Sequence, residues 1–168
     1  NKFVVLLLHG GKYTKDDLIK QHQKIINDET FWTNTIRFIE SCSFLRYNTY
    51  MYHSDLVLDP YPFGGCNSSL EAFSKGKIVI TRPAEYLSGR FTLGFYKRMG
   101  ILKGGPIVTT EEQYIKQTIY YLRNVEKREE LGEIIEERSK ILYNEKASIR
   151  EWETVLQKLV KPYVELIK

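Results

Sequence analysis

Residues 55–80 have the sequence DLVLDPYPFGGCNSSLEAFSKGKIVI, which contains the strongest signal for the fold of this protein. An apolar run at residues 56–58 stops at Asp59, and a loop with two prolines and two glycines follows. A helix-forming segment then leads to Gly76, and a second apolar run occupies residues 78–81. A strand, a crossover helix and another nearly all-apolar strand, in this order, predict a parallel sheet whose strands are buried between helices.

The rest of the chain extends this alternation in both directions. Upstream, the apolar run at residues 3–8 predicts another buried strand, residues 35–39 are a further strand candidate, and a helix that starts at Thr14 lies between them. Downstream, a brief strand is expected at residues 107–108. Helical patterns then run to the end of the chain; the last has an apolar face that we interpret as core or an interdomain seam, and Pro162 should kink or break it. The sequence therefore predicts an α/β domain with a parallel sheet, closed by C-terminal helices.

Composition excludes several classes of protein. The 168 residues fit one domain, and 42% hydrophobic with 27% charged residues is typical of a globular chain. Two cysteines, Cys42 and Cys66, cannot form the dense disulfide framework of a small secreted scaffold. No apolar run approaches the roughly 20 residues that span a bilayer. We therefore predict a cytoplasmic protein that has no contact with membranes.

Basic residues concentrate in one part of the chain. The net charge is only +4, but residues 75–103 hold seven basic side chains against the single acid Glu85. This stretch predicts an anion-binding surface; the alternative is a solvated face that is merely basic. An RNA-binding domain is a weaker alternative, because no nucleic-acid motif accompanies the aromatic residues there. The basic residues are Lys75, Lys77, Arg82, Arg90, Lys97, Arg98 and Lys103.

The loop and helix start at residues 64–71 form the candidate binding site. Ligands of open α/β sheets bind outside the carboxyl ends of the strands, and a helix N-terminus there suits phosphate. Gly64 and Gly65 allow close approach of the backbone to a ligand. A carboxylate one turn into the helix, that of Glu71, can accept hydrogen bonds from ribose hydroxyls. Side chains able to donate to phosphate oxygens are those of Asn67, Ser68 and Ser69.

The same residues have a second interpretation. Ser68 and Glu71 stand three positions apart, which is the spacing of a capping box, and such a motif would only start a helix. The glycine pair and the basic stretch that follows favour a ligand, because a helix cap needs neither.

Residues 55–80 resemble the donor-nucleotide motif of GT-B glycosyltransferases, most closely that of the O-linked N-acetylglucosamine transferase family and its bacterial relatives. The resemblance continues in PAEYLSGR, residues 83–90, which is similar to the loop and helix start after the next strand. Upstream, IRFIESC, residues 36–42, is similar to the strand and loop that hold the uracil ring. The resemblance implies a Rossmann-like parallel sheet with flanking helices, part of a GT-B C-terminal domain.

The resemblance also implies a UDP-sugar pocket. Its loop would bind the diphosphate, Glu71 the ribose, and the backbone at residues 41–42 the base. Arg90 would either offset charge on the leaving UDP or anchor its own loop. The residues implied to bind the UDP-sugar are Ser41, Cys42, Gly64, Gly65, Cys66, Asn67, Ser68, Ser69, Glu71 and Arg90.

The chain departs from the family at several of these positions. Phe44 and Tyr47 stand where the animal enzymes carry a Lys and a His that contact the nucleotide, which indicates a bacterial-like or divergent member. Glu71 stands where Asp is commoner, and Asn67 with Ser68 where paired Thr is usual. These two changes keep the hydrogen-bonding chemistry and leave the identity of the sugar open.

The implied reaction is an inverting, metal-independent transfer of a sugar such as N-acetylglucosamine from a UDP-sugar donor to protein side chains. No cofactor is expected, and no Asp-x-Asp pair indicates a Mg²⁺ site. A complete GT-B enzyme has two domains with the active site between them. We therefore expect residues 1–168 to be a single donor-binding domain, a fragment of a larger enzyme and inactive alone. Its catalytic groups would lie in the missing N-terminal half. The alternative is a non-catalytic nucleotide- or partner-binding module with the same fold.

Overall fold

The computed structural model describes residues 3–8, 14–102, 105–143 and 146–165, of which residues 161–165 are described by their backbone alone. The chain divides into two compact units, Asn1–Tyr50 and Met51–Lys168, and each is described by itself. The expectation that the whole chain is one domain of a longer enzyme stays a prediction.

The first unit is built on two parallel strands. β1 (Val5–Leu8) pairs with β2 (Ile36–Ile39) in the register Val5↔Ile36 to Leu8↔Ile39. α1 (Lys15–His22) starts at the predicted Thr14, where the Thr14 and Asp17 side chains form a capping box. A short helix that the sequence analysis did not predict, α2 (Glu29–Asn34), is capped by Asp28 and packs against β2. The chain continues into α3 (Phe44–His53).

The prediction that the first strand is buried on both faces is wrong for the described chain. Leu6, Leu7 and Leu8 are 39%, 37% and 47% exposed. A parallel strand is buried on both faces only where helices cover both faces. In the first unit α2 packs on β2, and the leucines of β1 stay open in the described chain.

The second unit contains the two strands predicted within residues 55–80. β3 (Val57–Leu58) is parallel to β4 (Val79–Ile80), in the register Val57↔Val79 and Leu58↔Ile80. The expected brief strand at residues 107–108 is reduced to one parallel bridge between Ile107 and Thr81. α4 (Asn67–Phe73) connects β3 to β4. A single 3-10 turn at Leu87–Gly89 then leads into α5 (Phe91–Arg98).

Three helices close the chain, as predicted. They are α6 (Glu111–Arg123), α7 (Val125–Ser139) and α8 (Lys146–Glu165), with a 3-10 turn at Lys140–Leu142 after α7. Over the described residues α8 continues past Pro162 to Glu165, so a break at this proline is wrong, and the alternative of a kink stays a prediction.

The apolar face of α8 is not part of the core. Trp152, Leu156 and Leu159 on this face are all exposed in the described chain, which corrects their interpretation as core. Over the part of the chain that the structure describes, no helix is both long enough and apolar enough to cross a membrane.

The core of the second unit surrounds β4. Phe73, Val79, Ile80 and Tyr96 have no exposed surface. The Tyr96 hydroxyl donates to the Val79 carbonyl (3.0 Å) and accepts from the Val79 N–H (2.9 Å), and the Phe73 and Tyr96 rings meet edge to face with centroids 4.8 Å apart. Parallel strands flanked by helices confirm the predicted Rossmann-like α/β fold class.

Candidate functional site

Asp59, at the carboxyl end of β3, fixes the loop of the candidate site. Its side chain is buried, with the residue only 4% exposed. Oδ1 accepts a hydrogen bond from the Gly65 N–H (2.6 Å), and Oδ2 accepts one from the Thr81 hydroxyl (2.7 Å). The carboxylate thus ties the loop to the residue that follows β4. Sequence reasoning left Asp59 out of the site, although a carboxylate directly after an apolar strand was the available signal.

A second loop, residues 82–90, packs against the first. The Gly64 N–H donates to the Ser88 carbonyl (3.0 Å). A Cβ on Gly89 would lie 2.2 Å from the Pro62 carbonyl oxygen, so only glycine fits at this position. The two loops therefore form one packed edge next to the carboxyl ends of β3 and β4.

Gly64 and Gly65 have a structural reason to be glycine. A Cβ on Gly65 would lie 2.6 Å from the Ser68 Oγ and 2.7 Å from the Ser69 Oγ, and one on Gly64 would lie 3.0 Å from the Asp59 Oδ1. Crowding within the loop thus accounts for both glycines. Their predicted role in admitting a ligand stays a prediction.

The start of α4 is not the capping box of the alternative interpretation. Cys66 is the N-cap residue and its side chain makes no capping hydrogen bond. Ser68 lies inside the first turn, where it and Asn67 are both exposed. Because the first N–H groups of a helix have no partner within it, this turn presents donors along with two polar side chains.

Ser69 differs from its two neighbours. Its residue is buried, and its Oγ lies 2.8 Å from the Thr92 Oγ1 on α5. The Ser69 hydroxyl therefore ties α4 to α5, and a ligand contact from this residue would come from its backbone.

Glu71 lies one turn further along α4, three and four positions after Ser68 and Asn67, so the three share one helix face. It is half-buried, and its carbonyl accepts from the Ser74 hydroxyl (2.8 Å). Among the described residues, no hydrogen bond or ion pair to its carboxylate is found. This carboxylate can accept hydrogen bonds from paired hydroxyls.

The cations of the basic stretch, residues 75–103, make different contacts with residues near them. Arg90 donates from NH1 to the Ala84 carbonyl (2.7 Å), which supports its role as an anchor of its own loop. Lys75 donates to the Glu71 carbonyl (3.2 Å). Lys77 lies over the Tyr52 ring (5.7 Å), and burial lowers its pKa. These three cations therefore make separate local contacts, the anion-binding surface stays a prediction, and Lys103 lies outside the described residues.

Ser41 and Cys42 follow β2 in the first unit, where Ser41 is exposed and Cys42 half-buried. A cavity of about 1240 Å³ in this unit has Trp32, Phe38 and Ser41 in its lining. The assignment of residues 41–42 to a uracil base stays a prediction. Over the described residues, no group of three or more His, Cys, Asp or Glu could hold a metal ion; the expectation of a metal-free site also stays a prediction.

Comparison with known proteins identifies a fold. No protein-family model matches the chain, and no curated protein matches it significantly in sequence. The structure is similar to that of a mutant O-GlcNAc transferase from Thermobaculum terrenum, with a TM-score of 0.63 and 20% sequence identity. The match covers 79% of this chain and 26% of that one. The chain thus shares the fold of part of a glycosyltransferase. At 20% identity, this similarity does not assign a function to any single residue.

Proposed function

We propose that this chain is the donor-nucleotide-binding part of a UDP-sugar-dependent glycosyltransferase. The observation that carries the proposal is the loop fixed by Asp59 at the carboxyl edge of β3, in a fold similar to that of an O-GlcNAc transferase. Open α/β sheets bind their ligands at this edge.

Each part of the loop has a role in this proposal. Backbone N–H groups of residues 66–69, with the exposed side chains of Asn67 and Ser68, donate hydrogen bonds to the diphosphate; the Gly64 and Gly65 N–H groups already bind Ser88 and Asp59. Glu71 accepts from the ribose hydroxyls. Because Asp59 holds the loop in place before the nucleotide binds, the donors need no reorganisation as negative charge develops on the leaving UDP.

Arg90 supports the site indirectly by holding the 82–90 loop. The reaction proposed is an inverting transfer, without a metal, of a sugar such as N-acetylglucosamine to a protein side chain. The groups that activate the acceptor are proposed to lie on a longer parent chain. The roles of Ser41 and Cys42 toward the base rest on the resemblance alone.

Calorimetric titration of the 168-residue chain with UDP tests the proposal. The double variant Ser68→Ala with Glu71→Ala should bind UDP at least about tenfold more weakly than the unmodified chain, through loss of charged hydrogen bonds. The matched control is Ser148→Ala with Glu112→Ala, which changes the same residue types at exposed positions on α8 and α6. Absence of UDP binding to the unmodified chain would overturn the proposal.

The alternative is a nucleotide-binding module without transferase activity. Phe44, where the animal enzymes carry a Lys, is an exposed aromatic side chain and cannot replace that charge. Turnover of a UDP-sugar by the longer parent chain separates the two functions. UDP binding with no sugar transfer to any protein acceptor would support the module.

A further inference from the structure

Arg82 is the basic residue nearest in sequence to the carboxyl end of β4, one position after Thr81. Its guanidinium carbon lies 4.2 Å from the centroid of the Tyr61 ring. Over the described residues, this ring contact is the interaction found for the guanidinium, which forms no hydrogen bond and no ion pair there. A guanidinium stacked by its face keeps its in-plane N–H donors available for an anion.

Other arginines of the second unit are committed to structural contacts. Arg90 donates to the Ala84 carbonyl. Arg128 forms an ion pair with Asp55 (2.8 Å) and donates to the Tyr121 carbonyl (2.9 Å). Arg82 differs from Arg90 and Arg128. Its contact with the Tyr61 ring orients the side chain, and its N–H donors have no acceptor among the described residues.

The Arg82–Tyr61 pair belongs to the same edge as the candidate loop. The Asp59 carboxylate joins the Thr81 hydroxyl to the Gly65 N–H, so these two groups are separated by a single side chain. Arg82 follows Thr81 directly, and Tyr61 lies in the loop between Asp59 and Gly65. The pair is therefore placed beside the loop residues proposed to receive the diphosphate.

We propose that Arg82, oriented by Tyr61, binds a phosphate group of the donor's diphosphate. This inference rests on the proposed function and adds a positively charged residue to the proposed diphosphate site. The planar N–H fork of arginine matches two oxygens of a phosphate. A fixed positive charge at this position would also offset the charge that UDP carries as it leaves.

The test compares three ligands that differ only in phosphate content: UDP, UMP and uridine, each titrated calorimetrically. Arg82→Gln should weaken UDP binding about ten- to hundredfold, the effect of losing a hydrogen bond to a charged group, and leave uridine binding unchanged. Lys97→Gln, a change of the same charge at an exposed position on α5, should bind UDP like the unmodified chain.

Tyr61→Leu removes the stacking surface and keeps the arginine. It should weaken UDP binding by a smaller factor, again without affecting uridine. If Arg82→Gln does not fold, Arg82→Lys replaces it; this variant keeps the charge without the fork and should lose UDP affinity severalfold with uridine unchanged.

The outcomes separate this inference from the proposed function. UDP binding to Arg82→Gln equal to that of the unmodified chain overturns the inference and leaves the proposed function standing. Equal losses for UDP and uridine also overturn it, because a structural defect would explain both. Failure of the unmodified chain to bind UDP overturns both.

Discussion

The Asp59 Oδ2 accepts a 2.7 Å hydrogen bond from the hydroxyl of Thr81, at the end of the neighbouring strand. Both residues are buried, and the other oxygen of Asp59 accepts from the Gly65 N–H. One carboxylate therefore couples the end of β4 to the loop proposed to receive the diphosphate.

Asp59→Ala should destabilise the protein by about 3 kcal/mol, because it leaves the buried Thr81 hydroxyl and a loop N–H without partners. Chemical denaturation measures this free energy of unfolding. The control Asp16→Ala changes an exposed acid in α1 and should shift it by less than about 0.5 kcal/mol. A change that small for Asp59→Ala would show that the carboxylate does not hold the loop.

Tyr96→Phe should cost about 1–3 kcal/mol of stability, because the Val79 N–H and carbonyl both lose their hydroxyl partner within the core. Tyr86→Phe, the same change at an exposed position, is the control and should be nearly neutral. Equal melting temperatures for the two variants would contradict this account of the core.

Gly132→Ala should destabilise the packing of α7 by about 1–3 kcal/mol, the usual cost of overpacking. A Cβ at Gly132 would lie 2.8 Å from the Gly76 carbonyl oxygen. Gly94→Ala is a control of opposite sign: a Cβ at this position in α5 meets nothing within 4 Å, so alanine should stabilise the helix by about 0.5–1 kcal/mol. An unfolding midpoint that rises for Gly132→Ala as it does for Gly94→Ala would contradict the close approach at Gly132.

Stability should fall at alkaline pH. Burial raises the pKa values of Tyr96 and Tyr121 above the ordinary value of 10.0. The folded state then holds protons that the unfolded state releases, so the stabilisation is full below about pH 10 and is lost as the pH rises through the folded pKa values. Exposed tyrosines such as Tyr86 ionise first, and the last part of the tyrosinate absorbance should appear together with the change in circular dichroism, because Tyr96 and Tyr121 ionise on unfolding. Tyrosine ionisation completed well before unfolding would contradict the burial of these hydroxyls.

The sequence predicted the second unit well because its signals are local. Apolar runs that end at Asp59 and Thr81, and glycines after helices, mark strand and helix ends in the chain itself. It failed for β1, because whether Leu6–Leu8 are covered depends on where other elements pack. It also missed α2, whose short sequence has no apolar periodicity and depends on the Asp28 cap.

For the candidate site, sequence reasoning found the loop residues but not their connections. The use of the Ser69 hydroxyl depends on Thr92, 23 positions away, and no local pattern indicates that pairing. The hydrogen bond between Thr81 and Asp59 and the contact between Arg82 and Tyr61 likewise become recognisable only once β3 and β4 lie side by side.

Amide NMR spectra of the 168-residue chain, recorded during titration with UDP, test whether the start of α4 binds the diphosphate. We expect saturable shifts of the Cys66, Asn67 and Ser68 N–H signals that are much larger with UDP than with uridine. An unchanged spectrum, or shifts that leave these three amides unaffected, would show that the loop does not bind the diphosphate.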